Sequence, residues 1–117
     1  MNNEPWIGVD LDGTLARYDG WDSDDPLYIG DPVPAMVARV LGWLAEGKVV
    51  KIFTARVSPA AVEMNNIPLE RVKDSIEDWC AQHLGVVLEV TCIKDPFMIE
   101  LWDDRVVQVI PNVGEPV

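Results

Sequence analysis

Apolar positions along the chain follow two different rhythms. Trp6-Ile7-Gly8-Val9 is a short apolar run that predicts a buried strand, ended by Asp10. A polar stretch from about Gly13 to Pro32, rich in Asp, Gly and Pro, predicts a loop. From Val33 to Glu46 the residues Met36, Val37, Val40, Leu41 and Leu44 recur at helical spacing, with Pro34 suited to a first turn and Gly47 to a stop. Val49 to Phe53 predicts a second strand, ending at Thr54. A connection through Ser58-Pro59 and Asn65-Asn66 then leads to a second helix, about Pro68 to His83. Its apolar stripe is Leu69, Val72, Ile76, Trp79 and Cys80, and Gly85 closes it. Val86 to Ile93 predicts a third strand, Ile99 to Trp102 a fourth and Val106 to Ile110 a fifth. There is no internal repeat, low-complexity segment or linker.

Strand and helix alternate through the first ninety or so residues, and the strands are apolar on both faces. The expectation is an α/β domain: a mainly parallel sheet with helices on both faces. Such sheets bind ligands at the carboxyl ends of their strands. The chemistry-bearing residues fall there: Asp10 and Asp12 after strand one, Thr54 after strand two, Lys94 after strand three, Asp103 and Asp104 after strand four.

A chain of 117 residues favours one domain spanning 1–117. Surface scaling for this mass buries about two-thirds of the unfolded area, enough for a self-standing core. Apolar content of 49% and charged content of 25% exclude a disordered chain. No apolar run approaches a membrane span, and the first residues lack the pattern of a secretion signal, so a soluble cytoplasmic protein with no membrane partner is expected. Cys80 and Cys92 lack zinc-site spacing and are expected as buried thiols. The net charge of −11, with no block of basic residues, opposes long nucleic acid without excluding it.

The acid is unevenly distributed. Asp19, Asp22, Asp24, Asp25 and Asp31 crowd the polar loop, while Asp10/Asp12 and Asp103/Asp104 form two tight pairs. Carboxylate pairs beside apolar strands are costly unless something positive lies between them. Period-two alternation sends Asp10 and Asp12 the same way, and Gly13 permits a sharp turn behind them. With Asp103 or Asp104 they make an oxygen donor set suited to Mg²⁺. One carboxylate could then attack phosphorus while the other serves as general acid and base. Thr54 and Lys94 are the groups available to neutralise phosphoryl oxygens.

These residues resemble the signatures of the haloacid dehalogenase-like (HAD) phosphohydrolases. Asp10-Leu11-Asp12-Gly13-Thr14-Leu15 is similar to the first, Lys51-Ile52-Phe53-Thr54 to the second, Lys94 to the third and Leu101-Trp102-Asp103-Asp104 to the fourth, over about residues 6–110. The resemblance implies a three-layer Rossmann-like fold and an Mg²⁺-dependent phosphatase. Asp10 would be the nucleophile and Asp12 the general acid/base. Thr54 would be a phosphate hydrogen-bond donor and Lys94 the charge that stabilises phosphate and nucleophile. Asp103 and Asp104 would hold Mg²⁺ with Asp10 and the backbone carbonyl of Asp12. The chain departs from the pattern in having no further acid soon after Asp104, so which of the two aspartates meets the metal stays open. Only 18 residues, Ala16 to Val33, separate the first motif from the first helix, which implies a capless member.

A capless site either stays open to a bulky phosphorylated substrate, such as a nucleotide or polynucleotide end, or is covered for a small metabolite by the Asp-rich loop or a second subunit of a homo-oligomer. A phosphoryl-binding or scaffold protein with little turnover is the alternative class. Arg17, Arg56 and Arg105 each follow a motif, and each either binds substrate phosphate or pairs with a nearby aspartate. The positions after Asp22 do not match an EF-hand, so the loop is expected to be solvated. Trp21 and Tyr28 are expected buried beneath it, Trp43, Trp79 and Met36 in the core, and His83 at a helix end.

Overall fold

The computed structural model describes residues 3–20 and 25–117; the expectations for Trp21, Asp22 and Asp24 lie outside the described residues. The elements run β1 (Trp6–Val9), α1 (Pro34–Ala45), β2 (Val49–Phe53), a 3-10 turn (Ala55–Val57), α2 (Pro59–Asn65), α3 (Leu69–Leu84), β3 (Glu89–Thr91) and β4 (Met98–Trp102). The strands form one sheet in the order β3-β2-β1-β4, and every pairing is parallel. The chain is thus α/β, with a parallel sheet whose central strand β1 is flanked by β2 and β4. Among the described residues no helix is long and apolar enough to cross a membrane.

Register assigns side chains to faces. Ile7 and Val9 share a face with Val50, Ile52, Val90 and Trp102. Both long helices pack there: Val40 of α1 and Val72, Ile76, Trp79, Cys80 and Leu84 of α3 join Ile7, Val9, Leu11 and Leu15 in one buried cluster. Trp43 of α1 packs against Trp102 in a tilted pair with ring centroids 5.2 Å apart. Consecutive right-handed crossovers β1-α1-β2 and β2-α3-β3 step the same way along the sheet, which places both helices on one side.

The other face carries Trp6, Gly8, Lys51, Phe53, Met98 and Leu101. Trp6 is fully buried there without a helix above it: the Lys51 ammonium lies over its ring at 4.7 Å, and its indole N–H donates to Asp95 at 2.8 Å. That hydrogen bond holds the Asp95 carboxyl below its usual range. Asp95 belongs to the connection 92–97, which must return from the carboxyl end of β3 to the amino end of β4 beyond β2 and β1. Six residues reach about 20–22 Å when extended, and three strand spacings of about 4.8 Å plus the backward step use nearly all of it. No helix fits in such a crossover. Among the described residues the expected helix layer on this face is therefore not seen.

Elsewhere the expected elements shift for local reasons. Residues 59–65, expected as a connection, are helical because Ser58 caps them through Ala61 N–H at 3.2 Å and Pro59 sits in the first turn. Asn66 in the left-handed region ends that helix. The third strand is only Glu89–Thr91, and Val86 and Val87 are exposed. The expected fifth strand does not form. Instead the chain folds back on itself, with a single bridge between Val109 and Pro116 and a turn through Asn112 and Gly114, both at positive φ. Tyr28, expected to be buried, is 59% exposed. Cys80 is buried and Cys92 half-buried, both as free thiols. The ring of His83, in the last turn of α3, packs against Trp79.

Candidate functional site

The carboxyl edge of the sheet collects three aspartates. β1 hands the chain to Asp10, and the Asp10 N–H donates to Trp102 O at 2.9 Å, carrying the β1–β4 pairing one residue past β1. That bond sets Asp10 beside Asp103 and Asp104, which leave the end of β4. The chain then closes a tight loop, with Gly13 N–H to Ala16 O and Ala16 N–H to Leu11 O, both at 2.8 Å. Gly13 sits at φ +89°, and a Cβ there would overlap Asp104 Oδ2 and lie 2.9 Å from its Cγ. Only glycine lets the Asp104 carboxylate reach this loop.

Asp10, Asp103 and Asp104 each offer a carboxylate oxygen, and the three oxygens lie within 4.8 Å of one another. Burial first, and then the neighbouring Asp103 and Asp104 carboxylates, push the Asp10 carboxyl up to about 7. Thr14 donates its hydroxyl to Asp10 Oδ2 at 3.4 Å, a long contact that offsets little of this. Asp103 is oriented by Arg105 N–H, which donates to its Oδ1 at 2.8 Å. An all-oxygen set of this kind suits a hard divalent cation, and Mg²⁺ accepts a few carboxylates while keeping waters and phosphate oxygens. Both members of the aspartate doublet belong to this triad.

Asp12 is engaged differently. Arg56 grips it with a bidentate fork, Nε to Oδ2 and Nη2 to Oδ1, each at 2.7 Å. The same guanidinium donates to Tyr28 O at 2.8 Å and to Pro26 O at 3.3 Å, so it also pins residues 26–28 of the polar loop over the site. Thr54 arranges this. It is 3% exposed, continues the β2–β3 pairing through its N–H to Thr91 O, and caps the 3-10 turn by accepting from Arg56 N–H at 3.2 Å. The cap bends the chain so that Arg56 points back across β2 toward Asp12. The Asp12 carboxylate is not in the triad.

Asp10, Asp12, Asp103, Thr54 and Arg56 all line one cavity of about 710 Å³. Arg17 does not; it is exposed and paired with Asp19 at 2.8 Å, beside a smaller hollow that it shares with Asp12 and Arg56. Lys94 is exposed and absent from the lining, two residues beyond Cys92, which does line the cavity. Arg105 is the residue whose importance was hardest to read from the chain. It followed a motif like two other arginines, and only the fold shows that it lines the cavity while Arg17 turns away. For Arg56 and Arg17 the ion pair with aspartate is what forms. No protein-family profile, curated protein or solved structure matches the chain.

Proposed function

We propose that this chain is a divalent-metal-dependent phosphomonoester hydrolase that works through an aspartyl-phosphate on Asp10, a capless and reduced relative of the haloacid dehalogenase-like enzymes. The observation that carries this reading is the meeting of Asp10 with Asp103 and Asp104 across the β1–β4 edge. In this view the parent arrangement is the three-layer Rossmann-like one, and the extended crossing 92–97 replaces the second helix layer. Mg²⁺ would be held by Asp10, Asp103 and Asp104, with the Asp12 backbone carbonyl as a further oxygen. Its chemistry there would be to neutralise the crowded carboxylates and the phosphoryl oxygens.

The chain's own residues then divide the work. An Asp10 oxygen attacks phosphorus while the ester P–O bond breaks, and the departing alkoxide takes a proton from Asp12. Water next attacks the phosphorus of the aspartyl-phosphate and gives a proton to Asp12. The P–O bond to Asp10 breaks, releasing inorganic phosphate and restoring the carboxylate. Thr54 and Arg105 flank the phosphoryl group, with Lys94 as the further cation that the sequence resemblance offers. Because Arg56 occupies both Asp12 oxygens, Asp12 offers a proton to the leaving group only when that fork opens.

The Arg56–Asp12 fork also favours a second reading, a protein that binds phosphoryl groups and metal with little turnover. Release of phosphate from an aryl phosphate, with and without Mg²⁺ and with Asp10→Asn alongside, decides between them. Mg²⁺-dependent release that Asp10→Asn abolishes supports the hydrolase. Binding of inorganic phosphate with no release from any member of a phosphoester panel supports the binder.

A further inference from the structure

The cavity that holds the carboxylates is two-sided. Asp10, Asp12, Asp103, Thr54, Arg56 and Arg105 gather where the strands end. The remaining wall is largely carbon: Phe53 from β2, Ile67 between α2 and α3, Val72 from α3, Met64 from α2 and Leu27 from the polar loop. Val72 is buried, Ile67 and Leu27 are half-buried and pack against the core, and Met64 is exposed at the rim. At about 710 Å³ the space falls within the range of small-molecule sites.

We infer that the substrate is a small phosphomonoester whose alcohol carries an apolar alkyl or aryl body, seated against Phe53, Ile67, Val72 and Leu27. This inference rests on the phosphomonoesterase reading above and names its substrate class. A polyhydroxylated sugar would exchange its hydration for a mainly carbon wall, with Tyr18, Ser58 and Asn65 as its few further polar side chains, and lose binding. An apolar body gains with each buried group, about fourfold per methylene. Long nucleic acid is disfavoured because three aspartates face two arginines in the lining and the net charge is −11. Met64, flexible and at the rim, suits a wall that must accept bodies of different shape.

The test is a series of n-alkyl phosphates from ethyl to hexyl, with glycerol phosphate and glucose 6-phosphate beside them. The alcohols leave with nearly equal basicity, so a trend in kcat/KM reports burial and not chemistry. A rise of about fourfold per methylene over the first three or four additions is expected, with both polyol phosphates no better than ethyl phosphate. A flat series, or preference for a polyol phosphate, overturns the inference while leaving the hydrolase reading intact. Met64→Glu and Ile67→Asn, both in the apolar wall, should flatten the series by lowering kcat/KM for hexyl phosphate toward that for ethyl phosphate. Hexylphosphonate and ethylphosphonate, which cannot be hydrolysed, give a second readout by calorimetry in Mg²⁺. Tighter binding of the hexyl compound without turnover of any ester would sink the hydrolase and keep the apolar ligand site. Equal binding of the two phosphonates overturns the site whatever the turnover.

Discussion

Replacing Asp10 with Asn should stabilise the metal-free protein above neutral pH, although it removes the proposed nucleophile. The native Asp10 carboxyl is pushed up to about 7 from 3.8, by burial first and then by Asp103 and Asp104. In the unfolded chain the same group ionises near 3.8. Between those two values the folded state holds a proton that the unfolded state has lost. Stability therefore falls as pH rises through this window and is flat in this term above it. The full shift corresponds to about 4 kcal/mol. The cavity admits water, which screens the repulsion, and roughly half of that, about 2 kcal/mol, is the expected effect. Asp10→Asn keeps the shape and an oxygen for the Thr14 hydroxyl while removing the charge. The assay is urea denaturation of both proteins at intervals from pH 4 to 8.5 in a chelator. The two curves should coincide near pH 4 and diverge by about 2 kcal/mol above pH 7, the variant being the more stable. Mg²⁺ at saturating concentration should raise the native protein and leave Asp10→Asn less affected. Asp95, whose carboxyl is held low by the Trp6 indole, acts with the opposite sign and below this window, and it cancels in the difference. A difference that vanishes at pH 8, or a variant less stable than the native protein there, would refute the claim that three carboxylates crowd an uncompensated site.

The Arg56–Asp12 fork is half-buried and ion-paired through both oxygens, so Arg56→Met should cost about 2–3 kcal/mol in urea denaturation. Adding Asp12→Asn should restore part of that loss, and strict additivity in the double-mutant cycle would show no coupling. Gly13→Ala should lose about 1–2 kcal/mol to its positive φ and should abolish Mg²⁺-dependent turnover by displacing Asp104, measured by phosphate release. Arg105→Met is expected to lower kcat/KM by about 10²-fold, as removal of a phosphate contact does, and Lys94→Met by less than tenfold. The reverse order would place Lys94 at the phosphoryl group. In the Arg56→Met protein, protease nicking near Pro26 should accelerate, because the guanidinium no longer ties Pro26 O and Tyr28 O to the site.

The parts of the fold most legible in the sequence are those whose identity is local. Trp6–Val9 and Val49–Phe53 are continuous apolar runs bounded by polar residues, and both strands form over those residues. The helical stripes of α1 and α3 are read to within a residue or so at either end, since Pro34 and Gly85 are start and stop chemistry. What was illegible depends on partners distant in the chain. Val106 to Ile110 has strand composition, but the Asp103 carboxylate accepts from Arg105 N–H in a turn just after β4, and the segment makes only the Val109–Pro116 bridge. Lys94 stands at the right place in sequence order, yet the short return to β4 draws its segment across the Trp6 face. Arg56 reads equally as a ligand to phosphate or an ion-pair partner, because Asp12, which it grips, lies 44 positions away in the chain.

The absence of a helix in the β3–β4 crossing has a mechanical consequence for the site. β4 carries Asp103 and Asp104, and it is an outer strand of the sheet, paired with β1 alone. Its amino end is fixed by Trp6 N–H to Phe97 O at 2.9 Å, and its carboxyl end by Asp10 N–H to Trp102 O at the same distance. On one side Trp102 packs against Trp43 and carries the Arg39 guanidinium over its ring, 5.2 Å from the centroid. On the other, Gly8 leaves the space that Met98 and Leu101 fill, at 3.1 and 3.3 Å from where its Cβ would stand. A Cβ at Gly8 asks Met98, Trp6 and Leu101 to give by a few tenths of an ångström, and the two further methyl groups of a valine ask for more, which loads the β1–β4 pairing beside the carboxylate triad. Gly8→Val should accordingly weaken Mg²⁺ binding at least tenfold by calorimetry while leaving the Arg56–Asp12 fork, which hangs from β1 and β2, in place. If Gly8→Val folds with native Mg²⁺ affinity, the position of Asp103 and Asp104 is set by the loop after β4 and not by the pairing of the strand.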